Sequence, residues 1–453
     1  MFGLNKLITT TIVLYTATVY SIELDINSKD SICAAAKIVS DGMWNYYEGF
    51  RVGGTIGMFA SPNYWWNAGE AFGGFVDYFS YCDSDNSTLE KWIYEGMYHQ
   101  AGDNYNYIPS NQSTTEGNDD QGVWGMAIME AVERNFTNPE SHSWLEMAQA
   151  IFNTMDARWD TEHCGGGLRW QIFTWNSGYN YKNTISNGCL FHIAARLARY
   201  TGNESAYLPT AERVWDWMEE VNFLTEETNG KLRIYDGANI EENCTDVTDL
   251  RWSYTYGVFM TGCAYLYNVT GDETWKFRTQ EIVEASTAYF FNSTNQVMQE
   301  TTCLPSKRCN NDQRSFRSLF SRCLGLTMVI IPDFEDMIRP YLETSAAAAA
   351  QSCSGGSDGV TCGENWSVSG WDGVYGLGEQ MSALEVILSL IAEKPISVET
   401  GGTNRTNYAA GTDTEDTTNK NKIDITGKDR AGAGVLTAVV LAVLLGGGIW
   451  MVF

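Results

Sequence analysis

The chain has 453 residues, a formal net charge of -27 and only 19% charged residues, against 16 Trp, 24 Tyr and 19 Phe. That balance argues against a nucleic-acid partner, because neutralising phosphates takes clustered Lys and Arg. It suits a solvated surface over a large aromatic core, with some flat ring faces left to stack on a ligand.

Met1 to Ser21 carries Lys6 ahead of an apolar stretch and ends in Val19-Tyr20-Ser21, which predicts a secretory signal peptide over residues 1–21. Nine Asn-x-Ser/Thr sequons, at Asn86, Asn111, Asn135, Asn203, Asn243, Asn268, Asn292, Asn365 and Asn404, agree with secretion. In that oxidising compartment eleven Cys imply several disulfides and leave at least one thiol without a partner in the chain. Cys303 with Cys309 and Cys353 with Cys362 are close enough in sequence to bridge loops. The four His are not grouped with these four Cys, and Cys-x-x-Cys is absent, so no metal or cofactor is expected.

Apolar residues at helical spacing recur twelve times. They predict helices near 31–50, 66–81, 87–98, 119–135, 140–158, 184–201, 205–222, 253–270, 272–291, 311–332, 334–350 and 374–394. A faint repeat supports pairing them. Arg199-Tyr200-Thr201-Gly202-Asn203-Glu204-Ser205 returns as Asn268-Val269-Thr270-Gly271-Asp272-Glu273-Thr274, with a weaker echo at Asn135 to Ser141. In each, Thr-Gly would close one helix and a polar residue would cap the next. The simplest closed arrangement is an all-α (α/α)6 barrel of six helical hairpins over residues 22–396, even-numbered helices inside and odd-numbered outside; a helical solenoid is the alternative.

After the barrel, residues 397–430 are rich in Thr, Asn, Gly and Asp and are expected to form a disordered spacer. Residues 431–453 are apolar, with Lys428 and Arg430 before them and no basic residue after. Spacer and tail predict a GPI signal whose tail is removed, with attachment between Gly411 and Gly427 and the product carried at the cell surface by its lipid.

In the barrel the N-termini of the inner helices point to one end, so aromatics, amides and acids at helix starts would share one cleft. Asp119-Asp120, within Gly117-Asn118-Asp119-Asp120-Gln121-Gly122-Val123-Trp124-Gly125, opens the fourth helix. A helix start favours carboxylate, so a single Asp there would be read as a cap. A doubled acid framed by Asn118, Gln121 and Trp124 instead meets the need of glycosidic cleavage for two carboxyl groups in unlike protonation states. Candidates for stacking and hydroxyl recognition are Trp65, Asn67, Trp124, Asn183, Asn187, Tyr254, Tyr256, Trp371 and Asp372. No Gly-x-Ser-x-Gly and no P-loop is present.

With those motifs the chain resembles glycoside hydrolase family 76, in particular its fungal GPI-anchored mannan endo-1,6-alpha-mannosidase branch. The resemblance is carried by Gly117 to Gly125, Gly166 to Ile172, Tyr181 to Phe191, and Cys362-Gly363 through Trp371-Asp372-Gly373 to Glu385. It implies an (α/α)6 barrel and a retaining mechanism, with Asp119 as nucleophile and Asp120 as general acid/base. It also implies, as donor, alpha-1,6-mannan or the GPI-core glycan, and a beta-glucan as acceptor if the enzyme transfers in wall assembly. Two departures stand out: Tyr254-Thr255 where the family often has Tyr-Asn, and Glu116 where the branch commonly has Leu. The residues alone do not order the acid pair. The competing expectations are a non-catalytic wall-glycan binding or structural protein on the same barrel, or a helical adhesin.

Overall fold

A computed structural model describes residues 21–413, 430–432, 434–441 and 444. The expected signal peptide, most of the attachment region and much of the apolar tail therefore lie outside the described residues. No described helix is long and apolar enough to cross a membrane.

Twelve α-helices follow one another between residues 29 and 388: α1 (Lys29–Trp44), α2 (Trp65–Cys82), α3 (Ser87–His99), α4 (Asn118–Glu133), α5 (Trp144–Asp156), α6 (Thr184–Thr201), α7 (Glu204–Glu220), α8 (Ser253–Thr270), α9 (Glu273–Tyr289), α10 (Phe316–Ile330), α11 (Glu335–Ser352) and α12 (Leu377–Leu388). The even-numbered helices each pack on the next, and α12 returns to α2, closing a ring; the odd-numbered helices pack outside it. This is the (α/α)6 barrel that the periodicity predicted. The inner helices are buried nearly all round, as a ring covered on both faces requires. Close approach is bought with small residues, as at Gly122, where a Cβ would stand 2.3 Å from Cys189.

The repeat has the predicted role at two places. Gly202 and Gly271 end α6 and α8 in the left-handed conformation, φ 67° and 70°, and Asp272 caps α9 by accepting from Thr274 N at 2.9 Å. Five short strands sit in the loops: β1 (Tyr181–Asn183), β2 (Leu224–Glu226), β3 (Leu232–Ile234), β4 (Gly237–Asn239) and β5 (Val247–Thr248). β1, β4 and β5 form an antiparallel sheet with Lys182 opposite Ala238.

Away from the helix starts, a buried ionic belt ties the ring together. Arg196 of α6 reaches Glu130 at 3.0 Å and Glu133 at 2.7 Å on α4; Arg134, just after α4, reaches Asp77 of α2 at 2.9 Å. Arg322 of α10 meets Glu385 of α12 at 2.5 Å, and Tyr265 of α8 donates to Glu133 at 2.7 Å. Every inner helix contributes. Four disulfides pair Cys33–Cys82, Cys164–Cys244, Cys303–Cys309 and Cys353–Cys362, which include the two local bridges read from spacing; Cys189, Cys263 and Cys323 are buried thiols.

The spacer expectation needs correction over its first part. Residues 397–413 are strapped to the outside of the barrel rather than free. Arg405 donates to the carbonyls of Pro139, Glu140 and Ser141, Asn153 donates to those of Tyr408 and Ala410, and Asn407 N donates to Gln149 at 2.7 Å. The polar composition that suggests disorder here supplies hydrogen bonds to α5 and the loop before it. Truncation after residue 396 is accordingly expected to lower stability by about 1–3 kcal/mol relative to truncation after 413, as read by urea unfolding of the two forms.

Candidate active site

The barrel end where the inner helices start holds a cleft of about 540 Å³, lined by segments that open α2, α4, α6, α8 and α10 and by the loop between α5 and α6. Asp119 and Asp120 lie in its wall in the first turn of α4. Gly117 is the N-cap; its N–H donates to Asp120 Oδ2 at 2.5 Å. Asp120 thus does act as a cap, as a lone Asp would, but its side chain is shared with the cleft. Gly117 itself is required by crowding. A Cβ there would stand 2.2 Å from Asp119 Oδ1 and 3.1 Å from Asp120 Oδ2. Two atoms at those distances from one point are at most their sum, 5.3 Å, apart.

The two acids have unlike surroundings. Asp119 accepts from Asp120 N at 3.1 Å, from Asn183 Nδ2 at 3.2 Å and from the Trp170 side chain. Burial pushes its carboxyl up to about 7, with these donors pulling the other way. Among the described residues Asp120 has the Gly117 N–H as its donor; burial, then the charge of Asp119 and that of Asp312, raise it well above the ordinary carboxyl range. Asp119 is therefore the one that ionises first and Asp120 the one that keeps its proton.

This arrangement has a stability signature. The Asp119 carboxyl is raised in the folded protein, so the folded state binds a proton more tightly than the unfolded chain, and stability falls as pH rises from about 4 to about 7. Asp119→Asn cannot ionise. It is expected to raise the melting temperature at pH 7, by on the order of 2–4 kcal/mol in stability, and to lose that advantage by pH 4.

On the α8 and α10 side Tyr254 stacks on Phe316 with ring centroids 3.9 Å apart, and Trp252 and Trp66 pack around the same ring. Asp236, just before β4, accepts from Trp252 Nε1 at 2.8 Å and Tyr181 OH at 2.6 Å. Asp312, bonded by the Trp66 side chain and raised to about 6 by burial, adds a carboxyl to that wall. Trp170, Gln171 and Asn176 line the other side.

Of the residues singled out from sequence, the cleft gathers Asp119, Asp120, Trp65, Asn183 and Tyr254. The others sit elsewhere. Asn67 accepts from Tyr64 N and caps α2. Trp124, one turn below Asp120, is fully buried with its Nε1 on Trp65 O. Asn187 clasps both main-chain groups of Leu168, which holds the loop that carries Trp170. Tyr256 accepts from Ile234 N in the core. Asp372 accepts from Glu364 N, Asn365 N and Val374 N, stapling its own loop, and Trp371 packs on Tyr375 with its Nε1 on Val374 O. Asn118 and Gln121, which frame the acids in sequence, also serve the scaffold: Asn118 donates to Arg169 O at 2.8 Å and Gln121 to Asn106 O at 2.7 Å. Thr255 does not line the cleft, so the Tyr-Thr departure removes no amide from it. Trp66, Trp170, Asp236, Trp252, Asp312 and Phe316 were not selected, although all but Asp236 lie in segments that the inner-helix starts or the motifs already marked.

A closed helical barrel with an acid pair in unlike protonation states, in a cleft of aromatics and amides, defines the class as a carbohydrate-cleaving enzyme. The chain belongs to glycosyl hydrolase family 76, whose family model matches residues 31–400. It is 72% identical, over the whole of both chains, to the mannan endo-1,6-alpha-mannosidase DFG5 of Candida albicans. To that of Saccharomyces cerevisiae it is 52% identical over 96% of this chain and 95% of the relative. Among solved structures, Dfg5 from Chaetomium thermophilum in complex with glucosamine superposes with a TM-score of 0.80 at 37% identity, covering 85% of this chain and 97% of that one. An inactive variant of a Salegentibacter alpha-1,6-mannanase in complex with alpha-1,6-mannotriose has a TM-score of 0.64 at 17% identity, over 80% of this chain and 100% of that one, a likeness of fold alone.

Proposed function

We propose that this enzyme cleaves alpha-1,6-mannosidic linkages with retention, Asp119 as nucleophile and Asp120 as general acid/base. The observation that carries the reading is the acid pair itself: oxygens no more than 5.3 Å apart, one carboxyl served by three groups and the other left to hold its proton. Inverting enzymes space their carboxyls by roughly 6.5–9.5 Å to admit a water, whereas retaining ones use about 5–5.5 Å. The names of the fungal relatives supply the linkage and the sugar.

In this reading Asp119 attacks the anomeric carbon as Asp120 protonates the departing oxygen, leaving a mannosyl ester on Asp119. Asp120, now a carboxylate, removes a proton from the incoming hydroxyl, which breaks the ester and restores both groups. Water as that hydroxyl gives hydrolysis; a sugar gives transfer. We assign the donor to mannan or the GPI-core glycan, the acceptor in transfer to a wall beta-glucan, and the enzyme to the cell surface, held by its own GPI lipid. The support for the last assignment is the pattern of signal, sequons, spacer and tail in the sequence.

Mass spectrometry of products from an alpha-1,6-mannooligosaccharide, with and without a beta-glucan oligosaccharide, tests the proposal. Shorter mannosides alone mean hydrolysis, and mixed mannose–glucose products mean transfer. Retained affinity with no product from mannooligosaccharides or GPI glycans would instead mark a binding protein.

A further inference from the structure

We propose that Lys182 is a positioning residue for the nucleophile: its buried ammonium clasps the glycine loop that leads into Trp170 against the strand that carries Asn183, so that both side chains meet Asp119. The proposal rests on the glycosidase reading above.

Lys182 is the middle residue of β1. Neighbours in a strand point to opposite faces, so Tyr181 and Asn183 line the cleft while Lys182 points behind it, where it is fully buried. There its Nζ donates to the carbonyls of Asp160 at 2.9 Å, His163 at 2.7 Å and Gly166 at 2.5 Å, one for each of its hydrogens, and lies 3.4 Å from Asp160 Oδ2. Burial lowers the amine to about 8, against the pull of Asp160. An apolar side chain would fill this place without the cost of desolvating a charge, so the ammonium points to a task beyond filling space.

The loop it holds needs such a centre. Cys164, Gly165, Gly166 and Gly167 have φ of 55°, 68°, 159° and 92°, and three successive glycines offer no side chains for packing. The Cys164–Cys244 disulfide fixes one end of this run, and Asn187, on both main-chain groups of Leu168, fixes the other. The carbonyls that close on Lys182 come from within the run and from just before it.

Beyond Leu168 the chain reaches Trp170, whose N–H donates to Tyr181 O at 2.6 Å and whose carbonyl accepts from Asn118 N at 2.8 Å. Loop, strand and the first turn of α4 are thus joined side by side. From this junction Asn183 Nδ2 donates to Asp119 Oδ2 at 3.2 Å, and the Trp170 side chain donates to the same carboxyl. Donors aimed at a carboxyl favour its anion, so the clasp bears on how readily Asp119 ionises. Lys182 faces Asp160, whose Oδ2 also meets Arg169 at 2.9 Å and His163 at 3.1 Å. Asp119 is faced by Asp120 of its own helix, Cys189 of α6 and Tyr254 of α8.

The test compares the full-length protein with Lys182→Met, which keeps much of the volume and loses all three bonds, and with Lys182→Gln, a milder change that keeps two N–H donors. Two readouts are followed: the acid limb of kcat/KM on an alpha-1,6-mannotriose, and infrared titration of the carboxyl band that Asp119→Asn removes. Asp119 attacks as the anion, so loss of its donors displaces both to higher pH. Lys182→Met is expected to move limb and band up by about one unit, a tenfold loss of rate at a fixed pH below the limb, and Lys182→Gln by less. Removing a cation also raises a nearby carboxyl by charge alone. Each variant is therefore repeated with Asp160→Asn, which restores the net charge but not the bonds, and the displacement should persist. A merely structural Lys182 would lower the melting temperature and the rate equally at every pH, with limb and band unmoved. That result, or a displacement that disappears in the charge-balanced double variants, overturns the proposal. If Lys182→Met does not fold, the same measurements on Lys182→Gln decide it. Should the parent turn over no alpha-1,6-mannoside while the Asp119 band still moves in the variants, the role of Lys182 stands and it is the substrate reading that fails.

Discussion

Asp119→Asn is expected to lower kcat on alpha-1,6-mannosides by at least about 10⁴-fold while leaving affinity for the donor near its parental value. The amide is close in shape to the acid, and its oxygen can still accept from Asp120 N, although its NH2 end no longer accepts from the Asn183 side. On the proposed mechanism what is lost is the nucleophile, and with it the covalent route that splits one difficult displacement into two easier ones. On the proposed reading binding rests on the rest of the cleft, chiefly the Trp66, Tyr254 and Phe316 cluster, together with the wall of Trp170, whose side chain donates to Asp119. Isothermal titration with a mannotriose, beside turnover of the same sugar, separates the two effects. Loss of affinity in proportion to loss of rate would mean that Asp119 holds the substrate rather than attacks it.

The largest loss of stability is expected from Arg196→Met, about 3–5 kcal/mol at pH 7. Arg196 is 1% exposed and neutralises Glu130 and Glu133 across the α4–α6 seam; it also lies over the Tyr265 ring. Methionine fills much of the volume but leaves two buried acids with less compensation, since Arg134 and Arg322 are already committed to Asp77 and Glu385. The defect should shrink as pH falls, because an unpaired buried carboxyl can take up a proton instead of remaining charged. Unfolding curves in urea at pH 7 and pH 5 would show this, and a second change, Glu133→Gln, should recover part of the loss. A pH-independent defect would mean that packing rather than charge is what Arg196 provides.

The barrel could be read from the sequence because its inner helices are bounded by strong local signals. Asn183, for example, opens α6 where the amphipathic pattern begins, and Gly202 ends it. Boundaries slipped where side chains build local turns that composition does not reveal. The tenth helix, expected from residue 311, begins at Phe316 because Asn310 and Gln313 exchange main-chain and side-chain hydrogen bonds and Ser315 bonds back to Asp312. The first, expected to run to residue 50, stops at Trp44, where the chain turns into a loop that bridges Tyr47 and Phe59. The strands are two or three residues long, too short for an alternation to show.

At the site the helix starts were the right places, but a start presents side chains in several directions about 100° apart. Trp65 and Trp66 are neighbours: the first is buried with its indole on Gln100, while the second packs at the Phe316 ring and bonds Asp312. Nothing in Asn-Tyr-Trp-Trp-Asn ranks them. Asp236 lay beyond reach for another reason, since it arrives from a strand edge in a long connection between α7 and α8 and is marked only by its three-dimensional partners, Tyr181 and Trp252.

The proposed mechanism requires covalent mannosylation of Asp119. It is tested most directly by treating the protein with a 2-deoxy-2-fluoro mannosyl donor that carries an activated leaving group, which slows release of the ester, and then mapping the labelled peptide by mass spectrometry. One label per chain on the peptide holding Asp119, absent in Asp119→Asn, is the predicted result. A label on another carboxyl, or cleavage with inversion and no label, would contradict it.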